Sequence, residues 1–184
     1  MTTVPLPGDT ELCILAIQHS TDKAPRSGHG YTPYYHELFK DRRDAKKILE
    51  IGIDVGASLR MWRDYFPQAE IYAMDCDDKK LITETRIRSF YGNQGDEHHL
   101  RMMMKWFGPD FDLILDDGSH QADHQILSAN VLVPFLSPTG IYIIEDVLYP
   151  KLLVPHIKYK CEIVSFDLIK DPYNNLIVIH GGSQ

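Results

Sequence analysis

The chain has 184 residues, of which 43% are hydrophobic, and a formal net charge of -7. We expect one globular domain over residues 1–184, and the negative charge makes a general nucleic-acid-binding surface unlikely on physical grounds. Apolar runs stay shorter than the roughly 18 residues that a membrane span needs. Three scattered cysteines without a CxxC pair suit a reducing compartment, so we predict a cytoplasmic protein without membrane contact.

The first 40 residues read as a loop and helix lid over the rest of the domain. We predict a loose lead-in over residues 1–10, a helix over residues 11–18 and an aromatic helix over residues 34–39. In one interpretation, Asp22, Lys23 and Tyr31 form a lip over the carboxylate end of a ligand. In the other, a loop rich in proline and glycine simply leads into a helix whose aromatic side chains face a sheet.

The next stretch has the pattern of a βαβ unit. It comprises a strand over residues 48–51, a turn with Gly52 and Gly56, a helix over residues 58–65 and a strand over residues 71–75. Glycines let the backbone approach a ligand where a helix begins and its free N–H groups point outward. Ser58 can cap that helix, and Asp75 can accept hydrogen bonds from both hydroxyls of a ribose. The unit predicts a nucleoside-containing ligand.

Two nucleoside ligands compete for this unit. A dinucleotide site needs G-x-G-x-x-G, whereas Gly52-x-x-x-Gly56 carries Asp54 in place of the middle glycine. A carboxylate is a poor neighbour for a pyrophosphate but suits a cationic sulfonium nucleoside, and Glu50 adds a second acid. With Asp75, this pattern resembles the first motifs of class I S-adenosylmethionine (SAM) methyltransferases. A βαβ unit without any ligand stays open.

Further strands and helices alternate along the chain. We predict a helix over residues 79–86, a strand over 87–91, a helix ending near Trp106, a strand over 111–115, a helix over 121–132, a turn over 134–139 and a strand over 140–144. Residues 161–169 and 176–180 read as an antiparallel pair. The outline is an α/β fold with a Rossmann-like, seven-stranded, mostly parallel sheet that ends in a C-terminal antiparallel hairpin.

The loop after the third strand offers candidate contacts to a base. In a doubly wound sheet, loops at the carboxyl ends of the strands line the ligand crevice. Asn93 or Gln94 could bind an adenine edge there, while Asp96 caps the following helix. A plain turn followed by a cap is the alternative for this loop.

Acidic residues follow the fourth and fifth predicted strands. With one histidine they form the set Asp116, Asp117, His120, Glu145 and Asp146. Such acids repel one another, and Mg²⁺ with its preference for hard oxygen ligands would relieve the repulsion. His120 would then serve as a general base. Two alternatives stay open: a transition-metal site that uses His120 and His124, or plain helix capping by Asp116 and Ser119.

Several motifs together resemble one family. The segments STDK, HGYTPYYHELF, EIG with SLRMWRDYFP, GNQGD, and DDGSH with IEDV resemble the macrolide-sugar O-methyltransferases and the related cephalosporin-methoxylation proteins, Mg²⁺-dependent members of the class I SAM fold. The resemblance covers about residues 20–148 and implies a single methyltransferase domain. The enzymes it resembles carry an additional N-terminal region, whereas this chain begins almost at the catalytic domain, so we carry over no particular substrate.

The resemblance also implies roles for individual residues. It implies Asp117, Glu145 and Asp146 as metal ligands and His120 as the base. It places Glu50, Gly52, Gly56, Ser58 and Asp75 around the cofactor, to which we add Lys23, Asn93, Gln94 and Asp116.

The resulting hypothesis is a Mg²⁺-dependent SAM O-methyltransferase acting on a hydroxyl of a small polyhydroxylated molecule, a sugar or a natural product. Two substrate oxygens would chelate the metal and His120 would remove the proton. The alternatives are a SAM-binding partner or regulatory subunit without activity, and a metal-dependent hydroxylase or hydrolase with His124 as a ligand. The partners that we consider are the small substrate and further copies of this chain in a homo-oligomer.

Overall fold

The computed structural model describes residues 2–3, 10–166 and 172–182, which form a nine-stranded sheet flanked by helices. Its strands are β1 (Thr2–Thr3), β2 (Lys47–Ile51), β3 (Glu70–Asp75), β4 (Thr83–Glu84), β5 (Ile87–Tyr91), β6 (Phe111–Asp116), β7 (Leu136–Ile144), β8 (Cys161–Ser165) and β9 (Asn175–His180). They lie in the order β1-β8-β9-β7-β6-β2-β3-β5-β4. Strand β9 runs antiparallel to both of its neighbours, and β4 runs antiparallel to β5. The seven longer strands confirm the predicted sheet, and two-residue strands extend each edge.

Helices cover both faces of this sheet. They are α1 (Glu11–His19), α2 (Thr32–Phe39), α3 (Ala57–Tyr65), α4 (Glu97–Phe107), α5 (Ala122–Leu132) and α6 (Pro150–Leu153). In β2, Ile48 belongs to the core under α1, α2 and α3, and Leu49 belongs to the core under α4 and α5. Successive side chains of a strand point to opposite faces, so a strand covered on both sides must be apolar throughout. The predicted helices before Trp106 and over residues 121–132 are confirmed.

Two predicted elements are wrong. The helix expected over residues 79–86 is a 3₁₀ turn, Asp78–Lys80, followed by β4, because Thr83 and Glu84 pair with β5 and Arg86 has a left-handed backbone. The turn expected over residues 134–139 lies largely within β7. That strand begins at Leu136 and is irregular against β6 between its first and later pairs.

Some predictions fall outside the described residues. Most of the lead-in over residues 1–10 does, and so does the end of the strand predicted over residues 161–169, of which β8 forms the first part. Among the described helices, none combines the length and apolar character that crossing a bilayer requires.

The sheet order places a ligand crevice between β2 and β6. From β2 the chain proceeds outward through β3 and β5, and β6 and β7 lie on the other side of β2. Ligands of open α/β sheets bind at the carboxyl edge beside this reversal. Gly52 brings the two sides together there: its φ is 95°, and a Cβ on it would overlap the carbonyl oxygen of Asp117. The loops after β2 and β6 therefore touch at the crevice.

Candidate active site

A cavity of about 570 Å³ opens at this edge of the sheet. The sequence-predicted residues that line it are Glu50, Gly52, Ser58, Asp75, Asn93, Gln94, Asp117, His120 and Asp146. The predicted residues that do not line it are Lys23, Gly56, Asp116 and Glu145. The structure therefore brings most of the predicted residues to one cavity and separates from it two of the four acids that follow the fourth and fifth predicted strands, Asp116 and Glu145.

Asp75 and the turn after β2 shape one end of the cavity. The carboxylate of Asp75 accepts the backbone N–H of Ile53 through Oδ2 and that of Asp77 through Oδ1, each at 2.9 Å. Gly56, with φ 75°, occupies the cap position of α3, so the predicted cap by Ser58 is wrong. Ser58 lies inside the first turn of α3, where its side chain is directed toward Glu50 and not toward the end of the helix.

Glu50 is a buried acid on the cavity wall. It is 1% exposed, and neither of its carboxylate oxygens has a hydrogen-bond partner among the described residues. Burial raises its pKa to about 7, although the ammonium of Lys23, 3.7 Å away, acts in the opposite direction. Ser58 and Trp62 approach it and also lower its pKa, but they do so without hydrogen-bonding geometry. Buried polar groups are normally paired, so this carboxylate is suited to a cationic or N–H-bearing ligand.

Lys23 lies behind the cavity wall and not on the predicted lip. It is 1% exposed, and its ammonium lies 2.5 Å from Asp117 Oδ2 and 2.5 Å from Glu145 Oε2. Burial opposes the charge, but the carboxylates of Asp117, Glu145 and Glu50 hold the pKa of Lys23 well above its ordinary value. The amine is committed to these acids because a buried ammonium needs opposite charges around it.

The acids after β6 and β7 differ in whether their carboxylates face the cavity or are buried behind it. Asp117, His120 and Asp146 each offer a possible ligand atom, and these atoms lie within 4.8 Å of one another. Glu145 is instead 1% exposed and accepts bonds from Lys23 and, at 2.8 Å, from the hydroxyl of Tyr35. Burial raises the pKa of Glu145 and that of Asp146. The carboxylates that face the cavity are thus those of Asp117 and Asp146.

Two aromatic residues that sequence reasoning did not place in the site reach these acids. Tyr35 contacts Glu145, and His29 Nδ1 lies 3.3 Å from Asp146 Oδ1. Tyr31, predicted on the lip, donates its hydroxyl to the same Asp146 oxygen at 2.6 Å. All three belong to the HGYTPYY segment. Its aromatic content was visible, but its partners lie more than a hundred residues further along the chain.

Four non-glycine residues that line the cavity have a left-handed backbone, namely Ser20, Asp54, His120 and Asp146. His120 has φ 56° and Asp146 has φ 53°, in the left-handed region that non-glycine residues rarely adopt. Their side chains face each other, with His120 Nδ1 3.9 Å from Asp146 Oδ2. Strained residues persist where the surrounding structure holds them and cluster at functional sites. Among these four residues, His120 and Asp146 also face each other within the group of possible metal ligands, which marks the pair as a functional candidate.

His124 points away from this cluster. Its Nδ1 lies 2.8 Å from Ser119 Oγ, and its ring packs so closely on Gly95 that a Cβ there would overlap it. The group of possible metal ligands found among the described residues does not contain it. The geometry therefore gives the two-histidine site no support.

Asp116 and the loop after β5 also differ from expectation. Asp116 is completely buried, and burial raises its pKa to about 7. Its carboxylate accepts bonds from Gln94 and Tyr142 and does not face the cavity. Asp96 accepts the backbone N–H of His98, which confirms its predicted cap on α4. Asn93 is exposed on the cavity wall.

No protein-family profile matches the chain. Mycinamicin VI 2''-O-methyltransferase of Micromonospora griseorubida is 40% identical over 126 residues, 64% of this chain and 31% of that protein. A rhamnosyl-tetracenomycin-C 3'-O-methyltransferase of Streptomyces olivaceus is 40% identical over 148 residues, 76% of this chain and 37% of that protein. The chain is related to the macrolide and polyketide sugar O-methyltransferases. It spans about a third of the length of these relatives.

The similarity to solved structures supports the same fold. MycE methyltransferase of the mycinamycin pathway, in complex with Mg, S-adenosylhomocysteine (SAH) and mycinamycin VI, superposes with a TM-score of 0.77 at 28% identity, over 96% of this chain and 56% of that one. A Podospora anserina methyltransferase bound to SAH superposes with a TM-score of 0.59 at 15% identity, over 96% of this chain and 90% of that one, which shows the fold alone. The chain has the class I SAM methyltransferase fold.

Proposed function

We propose that the protein is a Mg²⁺-dependent SAM O-methyltransferase that acts on a hydroxyl of a small polyhydroxylated molecule, such as a sugar of a natural product. One observation carries the proposal: a single cavity is lined both by Asp75 and by the cluster of Asp117, His120 and Asp146. The relatives are named as O-methyltransferases, one of them acting on a rhamnosyl-tetracenomycin, and the MycE structure contains Mg, SAH and mycinamycin VI.

The cavity residues suit SAM at two ends. We assign the ribose to Asp75 and the adenine to Asn93, both on the wall. Glu50 suits the cationic end, because its carboxylate oxygens accept no hydrogen bond from the described residues and a further positive charge stabilises a buried carboxylate. Contacts from Gly52, Gly56 and Ser58 stay predictions.

The metal assignment follows from which carboxylate oxygens face the cavity. Asp117 and Asp146 would hold Mg²⁺ first, and Glu145 would join them by leaving Lys23. Hard carboxylate oxygens fit this ion. Bound Mg²⁺ supplies Lewis-acid polarisation of a hydroxyl, and SAM supplies the methyl group.

His120 is assigned the proton transfer. Its Nδ1 faces Asp146, so Nε2 is the nitrogen that would accept the proton of the acceptor hydroxyl. Asp146 would hold the imidazole in this orientation, and Tyr31 and His29 would hold Asp146. The residues of the chain thus contribute alignment and proton transfer.

No observation favours the two alternatives. A hydroxylase or hydrolase needs His124 in the cluster, and the transferase names of the relatives favour methyl transfer over a SAM-binding partner. We keep a cytoplasmic location as a proposal, which the free thiols of Cys13, Cys76 and Cys161 support. A homo-oligomer also stays a prediction.

Calorimetry with SAH tests the proposal first, with Mg²⁺ and then with EDTA. We expect micromolar binding, followed by transfer of labelled methyl from SAM to polyhydroxylated acceptors that EDTA abolishes. Binding without transfer to any acceptor would favour a SAM-binding partner. Absence of binding in both buffers would contradict methyl transfer and leave the metal centre as the remaining candidate. Asp75→Ala, which removes the ribose contact, is the matched control for binding.

A further inference from the structure

Gln94 joins two loops of the cavity through a buried amide. It is 5% exposed. Its Nε2 donates to Asp116 Oδ1 at 2.5 Å and to Ser128 Oγ at 3.0 Å, and its Oε1 accepts the backbone N–H of Ser119 at 3.0 Å. Asp116 uses its other oxygen to accept the hydroxyl of Tyr142 at 3.1 Å. Both N–H bonds of the Gln94 amide are therefore directed into the protein, and none remains to read an adenine edge.

The loop that Gln94 contacts carries the assigned base. Ser119 directly precedes His120, whose backbone is strained at φ 56°. Gly118 makes room for the amide, because a Cβ there would overlap Gln94 Oε1 and lie 3.0 Å from Ile51 Cγ2. A strained backbone holds its geometry only where its neighbours fix it. The bond to Ser119 fixes the residue just before the strained one.

The same amide also fixes the other end of this short segment. Asp116 directly precedes Asp117, an assigned metal ligand, and Ser119 directly precedes the assigned base. We propose that Gln94 is a positioning residue, which holds Asp117 and His120 in place through Asp116 and Ser119 instead of contacting the cofactor. The inference rests on the proposed function. Partners behind the ligands of a site commonly change activity about tenfold to a hundredfold when they are removed.

Reciprocal substitutions in the full chain test this role. Gln94→Met keeps the length of the side chain and removes all its polar bonds. Gln94→Glu keeps the acceptor for Ser119 but sets a carboxylate against Asp116. Adding Asp116→Asn to Gln94→Glu returns an amide donor to the pair with the direction of the bond reversed. Gln18→Met, at an exposed position of α1, is the matched control.

Three measurements read the variants: kcat at saturating SAM, the Kd of SAH by calorimetry, and amide hydrogen exchange of residues 117–121 without metal or acceptor. We expect both single variants to lower kcat by about tenfold with the Kd of SAH unchanged. Both should also speed exchange at Ser119, because Gln94→Met removes the acceptor and repulsion from Asp116 moves the new carboxylate of Gln94→Glu away from Ser119. The double variant should recover most of both losses, and Gln18→Met should behave as the wild type.

Other outcomes overturn the inference. A raised Kd of SAH with unchanged kcat would make Gln94 a cofactor contact. Unchanged exchange at Ser119 would show that Gln94 does not hold the backbone at Ser119. If single variants unfold, a double variant that folds without recovering kcat also contradicts it. A wild-type chain that transfers no methyl group would refute the proposed function. Exchange at Ser119 requires no turnover, so it would still test whether Gln94 holds the backbone at Ser119.

Discussion

The ammonium of Lys23 and the carboxylate of Glu145 lie 2.5 Å apart, and each residue is 1% exposed. The pair joins the segment before α2 to the end of β7, 122 residues further along the chain. Such a pair does not by itself make a protein stable, but removing one partner leaves the other charge buried without compensation. We therefore expect substitution of either Lys23 or Glu145 to destabilise the acidic end of the cavity.

Lys23→Met is expected to destabilise the protein strongly. Methionine keeps the length of the side chain but leaves Glu145, Asp117 and Glu50 without their cation. Breaking a buried pair in this way costs about 3–5 kcal/mol of the free energy of unfolding, measured by urea denaturation in EDTA. Lys40→Met, which removes the exposed pair with Glu37, should change the midpoint little. Equal effects of the two substitutions would contradict the role of Lys23.

Substitution of the acids at the cavity is expected to separate metal ligands from other carboxylates. Asp117→Asn, Asp146→Asn and Glu145→Gln should each weaken Mg²⁺ binding by about tenfold or more, measured by calorimetry. Asp54→Asn is the control, because this acid lines the cavity but lies outside the cluster. Unchanged affinity in Glu145→Gln would mean that Glu145 serves Lys23 alone and that the ligand set is the cluster facing the cavity.

His120→Ala is expected to abolish most turnover without loss of cofactor binding. Removal of a general base typically lowers the rate by about 10²–10⁴-fold, whereas the nucleoside is assigned to Asp75 and Asn93 and not to His120. Single-turnover rates and the Kd of SAH separate the two effects. His98→Ala, exposed at the start of α4, should match the wild type. A weakened Kd of SAH with normal turnover at saturating SAM would contradict the assignment of His120 as the general base.

Glu50 is expected to make stability depend on pH. Burial raises its pKa in the folded protein from 4.5 to about 7. Between these values the folded state binds more protons than the unfolded state, so the stabilisation is complete below pH 4.5 and is lost as pH rises through about 7. In the wild type, this titration should lower the free energy of unfolding by up to about 3 kcal/mol as pH rises. Glu50→Gln should not show this decrease.

Urea denaturation at several pH values from about 5 to 8 covers the window in which Glu50 titrates. Glu37→Gln, at an exposed position of α2, should keep the wild-type profile. Parallel profiles for the wild type and Glu50→Gln would show that Glu50 does not titrate in this window.

The local pattern of the sequence determined the sheet, most helices and the ends of the strands. Buried strands such as β6 are short apolar runs, and an acid that follows one must lie at the carboxyl edge, so Asp117 and Asp146 were placed correctly without tertiary information. The predicted helix over residues 79–86 failed because pairing with β5 outweighed local propensity.

Only the tertiary structure decided what each polar group at that edge faces. The sequence suggested Lys23 on a lip and Asn93 or Gln94 against an adenine. The partners of Lys23, however, lie 94 and 122 residues away, and those of Gln94 lie 22 to 34 residues away. Side-chain pairing depends on which strand ends meet and how deeply each group is buried. These quantities arise when the strands pack together, and no local window of sequence contains them.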